Sequence, residues 1–307
     1  MAECLFIAGD VEICFDSFGD EGDPAMLLVM GLGTQMLWWR DEFCEEIASR
    51  GYHVIRYDNR DVGRSSRLHH VPSPTPWQLL RRTAGIGGYT LSDMAADGMA
   101  LLDHLGIHAA HVVGASMGGM IAQVMAGNHR ERVLSLVSIM SNTGSWRSGQ
   151  PSLRMYPRLI RKMPAERERY VEQAMRNWRE TASPGFPRDA GEYRRLLEQA
   201  FDRAHGPAGV ARQLAAIVAS GDRTSMLKTI DVPTLVIHGT ADRLVAPSGG
   251  RATAAAIRGA HLMMIEGMGH DMPRAVWPQI VSGIVQNAER VSEQDEARGR
   301  PREVEAA

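Results

Sequence analysis

The stretch AMLLVMG, Ala25 to Gly31, is apolar at almost every position. A strand with one wet face alternates, so a run of this kind reads as a strand buried on both faces, the habit of a parallel sheet covered by helices. Other strand-sized runs follow in alternation with helical patterns: HVIRYD, AAHVVGA, VLSLVSIM, PTLVIHG and HLMMIEG. CLFIA and VEICFDSFG precede them as two strands joined at Gly9-Asp10. Between the runs the spacing predicts helices over Trp38 to Ser49, over TLSDMAADGMALLDHLG behind a Thr90 or Ser92 cap, and over MGGMIAQVMAGNH. Strand–helix alternation implies βαβ units, hence an α/β fold with a doubly wound, mostly parallel sheet.

The rhythm breaks twice. Residues 67–88 hold three prolines and then three glycines, an irregular excursion with a short helix expected over Trp77 to Arg82. From Gly144 to Thr229 the chain is helical and polar, with no strand-like run. Ser145 to Met226 carries 15 Lys and Arg against 9 Asp and Glu, a net of +6, which leaves −8 for the rest. The expected organisation is a core of residues 1–143 and 230–290, with 144–229 inserted as a helical cap. Such a cap lies most simply over the carboxyl ends of the strands, where ligands bind in open α/β sheets. A last helix is expected over Pro273 to Ala288, and residues 291–307, charged and poor in apolar side chains, are expected to be disordered.

Composition narrows the function classes. At 307 residues the chain has room for a core of enzyme size. A net charge of −2 gives no global field for nucleic acid or a membrane surface, so neither partner is expected. Three scattered cysteines without C-x-x-C argue against a disulfide framework and fit a reducing compartment. The start lacks a basic segment followed by a long apolar one, and no run approaches membrane-spanning length, so a cytoplasmic location is expected. Oligomeric state is left open, a homodimer among the options.

Chemistry concentrates at VVGASMGGM. Gly114-Ala115-Ser116-Met117-Gly118 matches G-x-S-x-G between a strand and a helix, a context in which the serine sits on a sharp turn with its hydroxyl exposed. The structural alternative is that the glycines only ease packing. A serine hydroxyl needs a base and the base needs an orienting group, in chain order nucleophile, acid, base. Asp242 follows the strand in TLVIHGTADRLVAP, and His270 follows the last strand in EGMGHDMP. Asp271 adjoins His270 and its side chain should diverge from it. Asp222 lies in the insertion, and VLSLVSIM ends in Ser141-Asn142 with no carboxylate. Met117 N–H, at the helix start, is one expected oxyanion donor, and Leu32 N–H, between Gly31 and Gly33, is the second. Gly31-x-Gly33 fails as a dinucleotide fingerprint because Met36 stands at the third glycine. No metal-binding pattern is present, and neither a metal nor a cofactor is expected.

Taken together, Met30-Gly31-Leu32-Gly33, YDNRDVGRSS, GASMGG, HGTAD and GMGHDMP make the chain, from Leu5 to Asn287, resemble an α/β-hydrolase fold enzyme. Within that fold, LLVMGLG and WWRDEFCEEIASRGYHVIRYDNRDVGRS resemble the actinobacterial ester hydrolases related to aclacinomycin methylesterase. The resemblance implies catalytic Ser116, Asp242 and His270, oxyanion donors Leu32 and Met117, and loop-bracing roles for Asp58 and Arg60. Met30 stands where many relatives have His, and Asp61 where many have Gly; the 71–88 loop is longer. The acyl pocket is expected to involve Gly31, Gly33, Met36, Met140 and Met272, although Met30, Met36, Met117, Met120 and Met140 also read as core filling. The implied activity is hydrolysis of small to medium apolar carboxylic esters, methyl esters among them, through an acyl-enzyme. Perhydrolysis or C–C, lactone or thioester cleavage by the same residues are alternatives, as is a ligand receptor without turnover. The basic insertion reads as a solvated helical face, with an anion-binding role as its alternative.

Overall fold

A computed structural model describes residues 3–75, 77–78, 88–159 and 163–297. Eight strands form one sheet: β1 (Cys4–Ala8), β2 (Val11–Phe18), β3 (Ala25–Val29), β4 (His53–Tyr57), β5 (Ala110–Ala115), β6 (Val133–Ile139), β7 (Thr234–Gly239) and β8 (His261–Ile265). Their order is β1-β2-β4-β3-β5-β6-β7-β8. The β1–β2 and β2–β4 pairings are antiparallel, and from β4 onward every pairing is parallel. The eight apolar runs are therefore the eight strands.

Among the described residues the α-helices include α1 (Asp41–Ala48), α2 (Leu91–His104), α3 (Met117–Asn128), α4 (Tyr156–Leu159), α5 (Arg167–Thr181), α6 (Ala190–Arg203), α7 (Pro207–Ser220), α8 (Thr224–Leu227), α9 (Ser248–Ala256) and α10 (Trp277–Ala297). Helix α2 starts where the sequence places its cap: Thr90 Oγ1 accepts from the Ser92 and Asp93 N–H groups, and Asp93 Oδ2 accepts from Thr90 N–H at 2.7 Å. Successive residues of β3 feed opposite faces, as strand geometry demands. Leu27 and Val29 pack with Leu91, Met94, Ile121 and Met125 of α2 and α3. Met26 and Leu28 pack with Phe43 and Ile47 of α1 and with Ile280 and Ile284 of α10.

Two expectations need adjustment. Helix α10 does not stop near Ala288 but continues to Ala297, so disorder does not begin at residue 291. Ile280, Val281, Ile284 and Ala288 dock the helix on the sheet. Once it is nucleated, each further Glu, Gln or Ala adds a hydrogen bond at little conformational cost. Residues 298–307 and most of the short helix expected over Trp77 to Arg82 lie outside the described residues.

The segment between β6 and β7 contains helices α4 to α8 and, among the described residues, no strand. Its positive excess is not all spent on solvent. Arg203 of α6 meets Asp58 at 2.6 Å, and Arg212 of α7 grips Asp61 with two bonds of 2.5 and 2.7 Å. Asp61 has φ +71, which explains why glycine suits its position. The carboxylate offsets that cost with bonds from Arg212, from Tyr89 Oη (2.8 Å) and from Leu68 N–H (2.9 Å). No helix among the described residues is long and apolar enough to cross a membrane.

One buried titratable group gives the fold a pH signature. His111 on β5 lies under Tyr52, with Nδ1 2.9 Å from Ser135 Oγ, and burial lowers its pKa to about 4. An unfolded chain takes up this proton near pH 6.5 and the folded one only near pH 4, so His111 subtracts stability as pH falls through that window, by up to about 3 kcal/mol. In thermal melts between pH 7 and pH 4, His111→Asn should show a shallower fall in Tm than the parent. Parallel curves would mean that His111 does not titrate this way.

Candidate active site

Strand β5 runs into α3 through Ser116, whose φ of 56° and ψ of −118° lie outside the regions open to ordinary residues. Close packing forces the corner. A methyl on Gly118 would press into the Val29 carbonyl, and one on Gly114 into the Gly118 carbonyl. Ser116 N–H is fixed by the Ile139 carbonyl at 2.9 Å, and Met120 N–H donates to the Ser116 carbonyl at 3.2 Å. The hydroxyl thereby stands clear of the backbone at the carboxyl end of the sheet.

His270 arrives after β8. Its backbone N–H donates to the Thr181 carbonyl at 2.7 Å, and Gly269 N–H donates to Ser183 Oγ at 2.8 Å. These contacts place Nε2 2.9 Å from Ser116 Oγ. Nδ1 lies 2.7 Å from Asp242 Oδ2. The tautomer with hydrogen on Nδ1 satisfies both bonds, donating to Asp242 and accepting from Ser116. The other oxygen, Asp242 Oδ1, accepts from the Leu244 and Val245 N–H groups at 2.9 Å each. Burial pushes the Asp242 carboxyl up, but electrostatic attraction to His270 and the hydrogen bonds from His238 and His270 outweigh it and hold it well below the ordinary carboxylate range. A fixed carboxylate, an imidazole and a hydroxyl in this order can move a proton from Ser116 Oγ to His270 Nε2.

Asp271 does diverge from His270. Its carboxylate accepts from Ser183 N–H at 2.8 Å, from Ser183 Oγ–H and from Trp178 Nε1–H at 3.2 Å, so it fastens the His270 loop to the cap. Asp222 holds its own turn through Thr224 N–H at 2.9 Å.

Leu32 and Met117 border the same cavity as Ser116. Met117 N–H is the first of α3, among the N–H groups a helix leaves without an internal partner. Leu32 sits in a turn closed by Thr34, whose N–H and Oγ–H both donate to the Gly31 carbonyl, at 3.3 and 2.9 Å. Asn59 Nδ2 supports the loop from below through the Met30 carbonyl at 2.8 Å.

The cavity measures about 1150 Å³. Its floor includes Ser116, His270, Gly31, Met140 and Met272; its walls include Trp38, Trp178, Tyr193, Val210, Leu214 and Ile217. Gly33 and Met36, expected in the pocket, are not among its lining residues, and that expectation is corrected. Met36 is wholly buried, with its N–H on Asp58 Oδ1 at 2.8 Å, and Gly33 is covered by Val210. Sequence reasoning missed the cap walls. Nothing in an amphipathic helical pattern tells which face covers a neighbouring domain. Among the described residues no three His, Cys, Asp or Glu side chains gather into a set that could hold a metal ion.

Residues 24–273 match a family model described as alpha/beta hydrolase fold. The chain is 31% identical to rhodomycin D methylesterase DnrP of Streptomyces peucetius, over 90% of this chain and 94% of that protein. It is 29% identical to 3-oxoadipate enol-lactonase 2 of Acinetobacter baylyi, over 80% and 81% of the two chains. Among solved structures, the enol-lactonase of Burkholderia xenovorans LB400 has the same fold at a TM-score of 0.73 and 21% identity, covering 93% of this chain and 100% of that one.

Proposed function

Because the chain belongs to the alpha/beta hydrolase fold family and to its methylesterase-like group, we propose that it hydrolyses carboxylic esters of large, mostly apolar acids, methyl esters among them, with Ser116 as nucleophile. The observation that carries this reading is the hydrogen-bonded row Ser116–His270–Asp242 opening onto a cavity of about 1150 Å³. That volume exceeds the roughly 300–1000 Å³ of ordinary small-molecule sites, which moves the expectation from small and medium esters toward larger ones.

In this reading His270 Nε2 takes the Ser116 proton as Oγ attacks the ester carbonyl. The negative charge forming on the carbonyl oxygen is met by Leu32 and Met117 N–H. Asp242 holds the His270 tautomer and stabilises the imidazolium. His270 then protonates the departing alcohol, leaving the acyl group on Ser116. Water, deprotonated by His270, releases the acid.

The enol-lactonase relative favours lactone opening as a second reading, since a lactone is an internal ester cleaved by the same steps. A substrate panel separates the two. Methyl esters of polycyclic aromatic acids, p-nitrophenyl esters of rising chain length and enol lactones are compared by kcat/KM, and a fluorophosphonate probe reports on Ser116. The ester reading expects rapid labelling at Ser116 and the highest kcat/KM on a bulky methyl ester. Labelling elsewhere, or turnover of lactones alone, would overturn it.

A further inference from the structure

We propose that Gln213, on cap helix α7, is a positioning residue that sets the oxyanion loop, so that the cap forms a working part of the site; this rests on the hydrolase reading above. The Gln213 side chain is fully buried. Its Oε1 accepts from Gly33 N–H at 2.8 Å, and its Nε2 donates to the Arg60 carbonyl at 2.8 Å. One amide thus joins the loop after β3 to the loop after β4, and it comes from neither.

The consequence follows from peptide geometry. Across a planar trans peptide, a carbonyl and the next N–H point in opposite directions. The Gly31 carbonyl is held by Thr34, which turns Leu32 N–H the other way. The next peptide plane, Leu32–Gly33, is held by Gln213 through the Gly33 N–H. Both planes flanking the Leu32 Cα are therefore fixed, one from inside the loop and one from the cap. Glycines at 31 and 33, the latter with φ +67, leave the loop soft without such restraints.

Helix α7 is itself held firmly. Arg212, next to Gln213, grips Asp61, and Ser220 Oγ accepts from Leu91 N–H at 2.9 Å. Val210 packs on Gly33, its Cγ2 standing 2.8 Å from where a side chain on Gly33 would begin. Val210, Leu214 and Ile217 of the same helix line the cavity. A substrate body resting on α7 thus touches the element that aims the oxyanion loop.

Gln213→Met keeps the side-chain length and removes both bonds. On a short acyl ester it should lower kcat by about 10- to 100-fold, less than the roughly 100- to 1000-fold of losing an oxyanion donor outright. KM should stay near that of the parent. Affinity for a boronic acid, whose tetrahedral adduct with Ser116 uses the oxyanion donors, should fall in step with kcat/KM, while affinity for the product acid should not move. Gln213→Glu keeps an acceptor for Gly33 N–H but loses the donor to the Arg60 carbonyl, so its kcat should fall between those of the parent and Gln213→Met. In the parent chain, hydrogen exchange at Gly33 should be slow for a loop amide, a measurement that needs no variant to fold. Unchanged kcat in Gln213→Met, equal losses for both inhibitors, equal losses in Met and Glu, or fast exchange at Gly33 would each overturn the proposal. A parent enzyme without Ser116-dependent turnover would instead overturn the hydrolase reading.

Discussion

Replacing Ser116 by alanine is expected to cut ester turnover by about ten-thousand- to millionfold while leaving the fold and product affinity intact. The hydroxyl is held by its bond with His270 Nε2 at 2.9 Å, and its removal leaves no other nucleophile in that row. Backbone geometry adds a second, independent expectation. Ser116 keeps a φ of 56° because Gly114 and Gly118 allow the corner and Ile139 pins its N–H. Such a conformation costs on the order of 1–3 kcal/mol in a residue with a Cβ. Alanine retains that cost, whereas Ser116→Gly should relieve part of it. Ser116→Gly is therefore expected to be equally inactive and to melt higher than Ser116→Ala. Steady-state kinetics and calorimetry on the two variants check both points. An alanine variant within tenfold of the parent would remove Ser116 from the chemistry. A glycine variant that melts lower would mean that the corner is unstrained.

Asp242→Asn should lower kcat by about ten-thousandfold with little change in KM. The reason lies in the partners of the other carboxylate oxygen. Oδ1 accepts from Leu244 and Val245 N–H, so an asparagine must turn its amide oxygen to that side. Its NH2 then faces His270 Nδ1, where Asp242 accepts at 2.7 Å. Nδ1 is forced to accept, the ring proton moves to Nε2, and Nε2 can no longer take the Ser116 proton. Nitrogen NMR of His270 should show the exchanged tautomer in Asp242→Asn. A variant with parent-like kcat would mean that Asp242 does not orient the base.

Much of this site is legible in the chain because it is local. The Ser116 corner needs small residues at 114 and 118, and the packing of those two positions against the Gly118 and Val29 carbonyls is the physical content of G-x-S-x-G. Asp242 and His270 each follow a strand recognisable from its apolar run, and strand ends are where a rigid sheet presents loops. Where local signals are weak, the sequence misleads. Met36 looked like a pocket methionine, yet its backbone N–H on Asp58 pulls it into the core. Helix α10 outran its apolar stripe because helix propagation continues beyond the residues that anchor it.

Order and patterning along the chain determined the eight strands, their mostly parallel sheet and the placement of Ser116, Asp242 and His270 just after strand ends. These depend on short-range rules: period, turn chemistry and the sequence of strand ends. Only the tertiary structure decided what surrounds them. Thr181 and Ser183 hold the His270 loop, Gln213 ties the loop after β3 to the loop after β4, and Trp178, Tyr193 and Val210 line the cavity. All belong to the inserted segment between β6 and β7, and each meets the core across roughly 85 to 180 positions in sequence. An amphipathic helix shows that one of its faces is buried; only the packing of the whole chain shows against what.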